Sequence, residues 1–252
     1  MGTEINPGGI PSKGKALVVG SALVAGIALT GHAVPALTTI PPIRRKLFPK
    51  LSGMSESGAI ALTFDDGPDA KSTPLFLDLL DKHGWKATFF MLGRMAEKDP
   101  PLAREVLARG HEIALHGYKH NNLLWKSPKA TNEDIRRSFG TISEIVGTHP
   151  RYFRPPYGVF NAQALLTAND LHLTPMLWTA WGRDWRAKAT PQTVFNDLAK
   201  GIRPGSTLLL HDSDCTSAKD SYYAALGAME LLAERTRARR LHIERLCDHF
   251  PD

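Results

Sequence analysis

From Ala59 onward, short apolar runs alternate with longer stretches in which apolar residues recur every three or four positions, the rhythm of strands interleaved with amphipathic helices. The runs predict strands over 59–64, 87–92, 112–116, 151–154, 173–179, 207–211 and 241–246. Between them the helical period predicts helices over 73–83, 95–109, 131–146, 162–169, 191–200 and 221–237. Punctuation agrees with these limits. Thr73 precedes Pro74 at a helix start, and Gly84, Gly110, Gly147 and Gly201 stand just past helix ends. No internal repeat or low-complexity segment interrupts the pattern.

Ahead of Ala59 the pattern changes. Residues 16–30 read ALVVGSALVAGIALT, without charge and rich in small apolar side chains, and Lys13 and Lys15 stand just before them. Fifteen residues fall short of the ~20 that span a bilayer as a helix, and the run matches a signal-peptide core with Val34 and Ala36 placed as a small-residue cleavage site. Extended to Leu37 it would just span as an anchor, against the presence of His32 and Pro35. The cluster Arg44, Arg45, Lys46 and Lys50 that follows is awkward for export, because such cations tend to stay on the cytoplasmic side. Residues 1–56 are therefore expected to be a targeting or membrane segment with a basic linker, and 57–252 a single catalytic domain. The expected location is the cell membrane or the envelope beyond it.

Composition refines this picture. The 252 residues, 42% apolar and 22% charged, suffice for a sizeable core and exclude a disordered or fibrous chain. The net charge of +6 raises a nucleic-acid partner, yet six Lys/Arg and only two Glu fall within 1–56. The body is nearly neutral, and no nucleic-acid partner is expected. Cys215 and Cys247 can form one disulfide or remain two ordinary thiols, and two cysteines are too few for a zinc finger. Nothing in the sequence indicates an oligomeric state.

Polar residues at strand ends bear on both fold and chemistry. Asp65 and Asp66 follow the first strand, His116 ends the third, Arg154 the fourth and His211 the sixth, with Asp184 shortly after the fifth. Such groups at the C-terminal ends of several strands suit a barrel, where the ends converge on one face. A dinucleotide-binding sheet would need a glycine-rich turn after the first strand, and TFDDGPD has one glycine. The expected fold is an α/β one, a distorted (β/α) barrel of about seven strands. Adjacent Asp65 and Asp66 would diverge by half a turn if the strand continued, so that one binds a metal and the other faces the reacting centre. A metal on Asp66 needs nitrogen partners, and His116 and His120, four residues apart, supply two. Two imidazoles and a carboxylate suit Zn²⁺, and with more open positions Co²⁺, Mn²⁺ or Fe²⁺.

Five ordered strings, Thr63-Phe64-Asp65-Asp66-Gly67-Pro68, His116-Gly117-Tyr118-Lys119-His120, Arg154-Pro155-Pro156-Tyr157-Gly158, Asp184-Trp185 and Leu208-Leu209-Leu210-His211-Asp212, resemble the polysaccharide deacetylase family. This is the NodB-homology domain of carbohydrate esterase family 4, and the resemblance runs from about Ala59 to His249. It implies a NodB-like fold related to the TIM barrel. It also implies one divalent metal, zinc first, on Asp66, His116 and His120, with Asp65 as general base and His211 as general acid. By the same resemblance, the Tyr157 N–H would stabilise the oxyanion, Arg154 would orient Asp65, and Asp184 would pair with Arg154 or support the site from behind. Pro155, Trp185 and Leu209 would line the pocket, although Trp178, Trp181 and Trp185 can also be read as packing residues, Trp178 more readily than Trp185.

Two positions depart from the family pattern. Gly117 stands where a Ser or Thr hydroxyl usually ties the loop down, and Trp181 stands where an Asp often precedes Asp184 by three. The polar stretch from Asp212 to Cys215 reads as a substrate contact or a partner for His211.

The implied activity is removal of N-acetyl groups from an amino-sugar polysaccharide, peptidoglycan or chitin-like, with an acetylated glycan as partner and the membrane as a second partner. An O-acetyl esterase on xylan would use the same atoms. A non-catalytic glycan-binding module would not need Asp65 and His211 together with three ligands. A nucleic-acid binder rests on the pI alone, and a cyclic-amide hydrolase is disfavoured by the complete RPPYG string.

Overall fold

The structure is a computed structural model that describes residues 30–251. Seven parallel strands form a curled half-barrel in the order β5-β4-β3-β2-β1-β7-β6, and a short eighth strand pairs with the start of β1. These are β1 Ile60–Asp65, β2 Thr88–Met91, β3 Glu112–Leu115, β4 Tyr152–Phe153, β5 Thr174–Pro175, β6 Ala180–Trp181, β7 Thr207–His211 and β8 Ile243–Glu244. Among the described residues no pairing joins β5 to β6, so the barrel stays open. Helices Thr73–His83, Pro128–Val146, Ala162–Asp170, Pro191–Ala199 and Tyr222–Arg239 cover the sheet. Central β1 reads IALTFD because parallel neighbours on both sides and packed layers on both faces leave no position in water. Its Phe64 packs at 5.0 Å from the Phe89 ring and 5.2 Å from that of Phe76.

Two elements differ from the sequence pattern, each for a local reason. The helical stretch expected over 95–109 is two helices, Gly93–Lys98 and Pro100–Ala108. Pro100 and Pro101 have no N–H to donate back to the preceding turn, and the Asp99 side chain caps the second helix by accepting from Leu102 N at 3.1 Å. The strand expected over 173–179 splits into β5 and β6. Between them the carbonyls of Met176 and Leu177 accept from the Arg154 guanidinium at 3.3 and 2.8 Å, and that of Trp178 accepts from Arg44 at 2.9 Å. Acceptors turned toward two buried cations are lost to the strand ladder.

The stretch expected as a basic linker is docked on the body. Leu177 N donates to the Leu51 carbonyl at 2.8 Å, Thr207 Oγ1 to that of Gly53 at 2.7 Å, and Ser55 N to that of Gly205 at 2.9 Å. Among the described residues no helix is long and apolar enough to cross a membrane. The apolar run 16–30, apart from Thr30, lies outside the described residues. Cys215 and Cys247 are both free thiols.

Because Phe64 is fully buried between two rings, Phe64→Ala is expected to lower unfolding stability by about 3–5 kcal/mol. Urea denaturation followed by circular dichroism measures this.

Candidate active site

Strand register brings the chemistry together. Asp65, last in β1, is the Cα partner of His211, last in β7. His116 and Arg154 directly follow the paired residues Leu115 of β3 and Phe153 of β4. All therefore emerge at the C-terminal edge of the sheet. Asp66 does not continue the strand. Its φ of 82° lies in the left-handed region, and this turns its carboxylate into the same pocket as Asp65 rather than to the opposite side, as the alternation of an extended strand would have it. His116 Nε2 lies 3.7 Å from Asp65 Oδ2 and 3.5 Å from Asp66 Oδ1. The turn carrying Asp66 leaves no room for a side chain at Gly67, where a Cβ would meet the Asp212 carboxylate at 2.1 Å.

Asp66, His116 and His120 form a cluster whose ligand atoms lie within 4.8 Å of one another. His120 reaches it from the loop after β3, with Nε2 3.4 Å from Asp66 Oδ1. The donor set fits a divalent cation on two counts. Asp66 Oδ1 is buried and among the described residues has no hydrogen-bond donor, although its sister oxygen accepts from Thr216 Oγ1. His116 Nδ1 donates to the Arg154 carbonyl at 2.9 Å, which fixes the tautomer and leaves the Nε2 lone pair facing the cluster. Burial pulls the His116 imidazole down to about 3 against the attraction of Asp66, and it lowers His120 as well. Neutral imidazoles are the form that ligates metal.

Arg154 is fully buried. Its Nη1 donates to Asp65 Oδ1 at 2.6 Å and to Thr63 Oγ1 at 2.9 Å. Burial pushes the Asp65 carboxyl above its usual range, and the Arg154 charge pulls it part of the way back. Asp184 does not pair with Arg154. It accepts from His211 Nδ1 and from the His211 backbone N–H, both at 2.8 Å. Burial alone would lower the His211 imidazole, yet the Asp184 carboxylate, joined by Asp66 and Asp65, carries it up to about 10.

The cavity above these groups holds about 330 Å³ and is lined by Asp65, His116, His120, Tyr157, Gly158, Trp178, Trp181, Trp185, Leu209, His211, Thr216 and Ser217. Trp185 and Leu209 stand where the sequence pattern expected them, and Pro155 is not part of the lining. Trp178 and Trp181, for which packing is the alternative reading, are walls of the cavity. Their rings stack at 5.4 Å, Trp181 meets Trp185 at 4.9 Å, and Trp185 meets the His211 ring at 5.6 Å. The signal was the close spacing of three tryptophans before β7. Thr216 and Ser217 were missed because nothing local marks a threonine as the partner of an aspartate 150 residues away.

Other expectations resolve differently. Gly117 has φ 87°, a conformation that favours glycine. The loop is nonetheless tied down, since Ser138 Oγ donates to the Gly117 carbonyl at 2.8 Å and Tyr118 N donates to Asp134 Oδ2 at 2.9 Å. Asp212 makes no hydrogen bond to His211. It accepts from Gly67 N at 3.2 Å and from Thr73 Oγ1 at 2.5 Å, clamping the Asp66-Gly67 turn. Tyr157 adopts the left-handed φ of 60°, and its ring meets the edge of His120 at 4.5 Å.

Comparison with known proteins places relatives beside this geometry. The family model described as polysaccharide deacetylase matches residues 53–176. A peptidoglycan-N-acetylglucosamine deacetylase of Bacillus cereus is 35% identical over 162 residues, which make up 64% of this chain and 58% of that protein. The chain thus spans less than two thirds of that relative. A chitooligosaccharide deacetylase of Azorhizobium caulinodans is 36% identical over 155 residues, 61% of this chain and 73% of the relative. A crystal structure of a peptidoglycan N-acetylglucosamine deacetylase is similar at TM-score 0.73 and 29% identity, over 79% of this chain and 91% of that one.

The His211–Asp184 pair gives a titration to measure. The folded value of about 10 lies above the ordinary 6.5, so the protonated pair stabilises the fold fully below about pH 6.5. That contribution is lost as pH rises through 10. In metal-free protein, NMR titration is expected to find His211 protonated throughout neutral pH, and Asp184→Asn to lower its midpoint by roughly 1 to 3 units.

Proposed function

The chain belongs to the polysaccharide deacetylase family, and from that premise we propose that it is a metal-dependent hydrolase that removes N-acetyl groups from an amino-sugar polysaccharide, peptidoglycan or a chitin-like chain. The observation that carries this reading is the juxtaposition of Asp65 and His211, paired across β1 and β7, beside the Asp66, His116 and His120 cluster. A proton acceptor and a protonated donor on either side of one reacting carbon are what amide hydrolysis requires. The relatives named above support the substrate class.

Asp66, His116 and His120 would hold one divalent ion, zinc first by its preference for such a donor set, with cobalt, manganese or iron as alternatives. When bound there, such an ion would supply Lewis acidity toward water and the acetyl carbonyl. Asp65, its charge fixed by Arg154, accepts the proton of the attacking water. The Tyr157 N–H, presented by the left-handed turn after Arg154, stabilises the developing oxyanion, a contact worth about 2.7–4 kcal/mol. His211 protonates the departing amine nitrogen, and the Asp184 carboxylate keeps it charged for that transfer. The indoles of Trp178, Trp181 and Trp185 shield the acetyl group from water and offer flat faces to sugar. The apolar run 16–30 would keep this activity at the cell membrane or in the envelope.

Acetate release from N-acetylated chitooligosaccharides, peptidoglycan and acetylxylan tests the reading. Release from the first two is expected, and release from acetylxylan alone would assign an O-acetyl esterase instead. Asp65→Asn is expected to lower turnover by about 10²–10⁴-fold while divalent metal still binds by calorimetry. His116→Ala should lose both. Because Asp65→Asn leaves the buried Arg154 charge without its counter-ion, a stability loss of about 3–5 kcal/mol should accompany it, read by thermal denaturation.

A further inference from the structure

The segment ahead of the catalytic body is built inside out. In the helix Pro41–Leu47 the buried side chain is a cation, Arg44, 5% exposed and held by the Thr38 and Trp178 carbonyls. Leu47 and Phe48 are 62% and 47% exposed, and Val34, Leu37 and Ile40 are exposed as well. A segment that met only protein and water would do the reverse, since burying a cation costs more than burying a leucine gains. The start of the segment is tied to the turn Leu123–Trp125, where His32 Nε2 lies 3.2 Å from the Leu124 carbonyl. Trp125 in that turn is 83% exposed, the largest exposure of any large apolar side chain among the described residues.

Charge singles out the partner. Arg45, Lys46 and Lys50 are exposed on the same segment, and residues 30–55 contain no carboxylate. Outward apolar groups among uncompensated cations, with a tryptophan at the edge, make up the composition of a surface that lies in a bilayer interface. A second copy of the chain is a poor occupant, because two such faces would bring like charges together. The chain immediately ahead is the uncharged run 16–30, so this face continues an apolar sequence.

We propose that residues 34–50, together with Trp125, form a face that lies on an anionic lipid bilayer. Leu47, Phe48 and Trp125 enter the headgroup layer, and Arg45, Lys46 and Lys50 meet the lipid phosphates. Five extended residues reach at most about 18 Å, so His120 lies within that distance of Trp125 along the chain. The cluster of Asp66, His116 and His120 is therefore held close to the lipid surface. On the deacetylase reading, the glycan it takes is one carried at or near the membrane. The face itself does not rest on that reading, and its test does not use activity.

The full chain is mixed with vesicles of phosphatidylglycerol and phosphatidylcholine whose acyl chains carry bromine, and the vesicle-bound fraction is collected by flotation. Trp125 emission is read as the difference between wild type and Trp125→Phe. Strong quenching of that difference is expected. The triple variant Arg45→Glu, Lys46→Glu, Lys50→Glu should lose it, whether or not the apolar run keeps the chain on the vesicle, because each cation strengthens apposition by roughly fivefold. Leu47→Ser with Phe48→Ser, at exposed sites that leave the fold intact by circular dichroism, should weaken quenching too. Unquenched Trp125 in bound wild type, or equal quenching in the charge-reversed chain, would overturn the proposal. So would a lipid-free dimer in analytical ultracentrifugation that the Leu47 and Phe48 changes dissociate, which would give the face to a second copy. Failure of iodide to quench Trp125 in the lipid-free chain would give it to residues 1–29, with the same consequence.

Discussion

A guanidinium with no access to water has to find every partner inside the protein, and that of Arg154 finds its hydrogen-bond partners on two separate segments. It bonds Thr63 and Asp65 of β1 and the carbonyls of Met176 and Leu177 between β5 and β6, while its own carbonyl accepts from His116. Its charge also lies 3.9 Å above the Phe90 ring of β2. A buried ion pair of this kind gains little over an apolar pair of the same shape, yet removing one partner strands a charge at a cost of about 3–5 kcal/mol. Such a pair is better understood as a geometrical device than as a source of stability. Here it fixes the Asp65 carboxylate, the tautomer of His116 and the break in the sheet beside the cavity wall.

The remaining groups follow from the register of β1 with β7. Parallel pairing sets Asp65 level with His211, and their environments then drive the two in useful directions. Asp65 is buried, which raises its carboxyl, and the Arg154 cation beside it pulls in the opposite direction. His211 is surrounded by carboxylates and keeps its proton. Two titratable groups given opposite tendencies by their neighbours suit the acid and base roles proposed for them. The third device is the left-handed turn at Asp66, which the Asp212 clamp on Gly67 holds in place. Without it the strand would carry Asp65 and Asp66 to opposite faces, and one carboxylate would leave the pocket.

Much of this was legible in the chain. The alternation of short apolar runs with helical periods marks the parallel sheet, because strands buried on both faces need continuous apolar runs and crossovers need helices. The TFDDGP, HGYKH and RPPYG strings mark the ends of β1, β3 and β4. What stayed hidden depends on contacts between segments far apart in sequence. No local rule tells that Asp184 will choose His211 over Arg154, that Thr216 will meet Asp66, or that the carbonyls of 176–178 will turn from the ladder toward two arginines. The tryptophans at 178, 181 and 185 were visible, but packing and cavity lining look alike in a sequence, since both call for large apolar side chains.

The two departures from the family pattern show how such a site tolerates change. Gly117 lacks a hydroxyl, and the helix Pro128–Val146 replaces it from outside, with Ser138 and Asp134 gripping the loop backbone. Trp181 stands where a second acid is often found, and among the described residues Asp65 is then the one carboxylate on Arg154. Arg44 adds a further cation, so that the Trp178 ring has guanidinium carbons 5.7 and 5.6 Å from its centre. Arg154 and Asp65 neutralise each other, but among the described residues Arg44 hydrogen-bonds to carbonyls and to no carboxylate, and burial with its cationic neighbours lowers it to about 10. Still charged at neutral pH, it places a second cation beside Trp178 in the cavity wall. On the proposed reaction, a cation there would favour the negative charge that develops on an acetyl oxygen during attack. The segment that carries Arg44 therefore belongs to the electrostatics of the pocket as well as to the surface outside it.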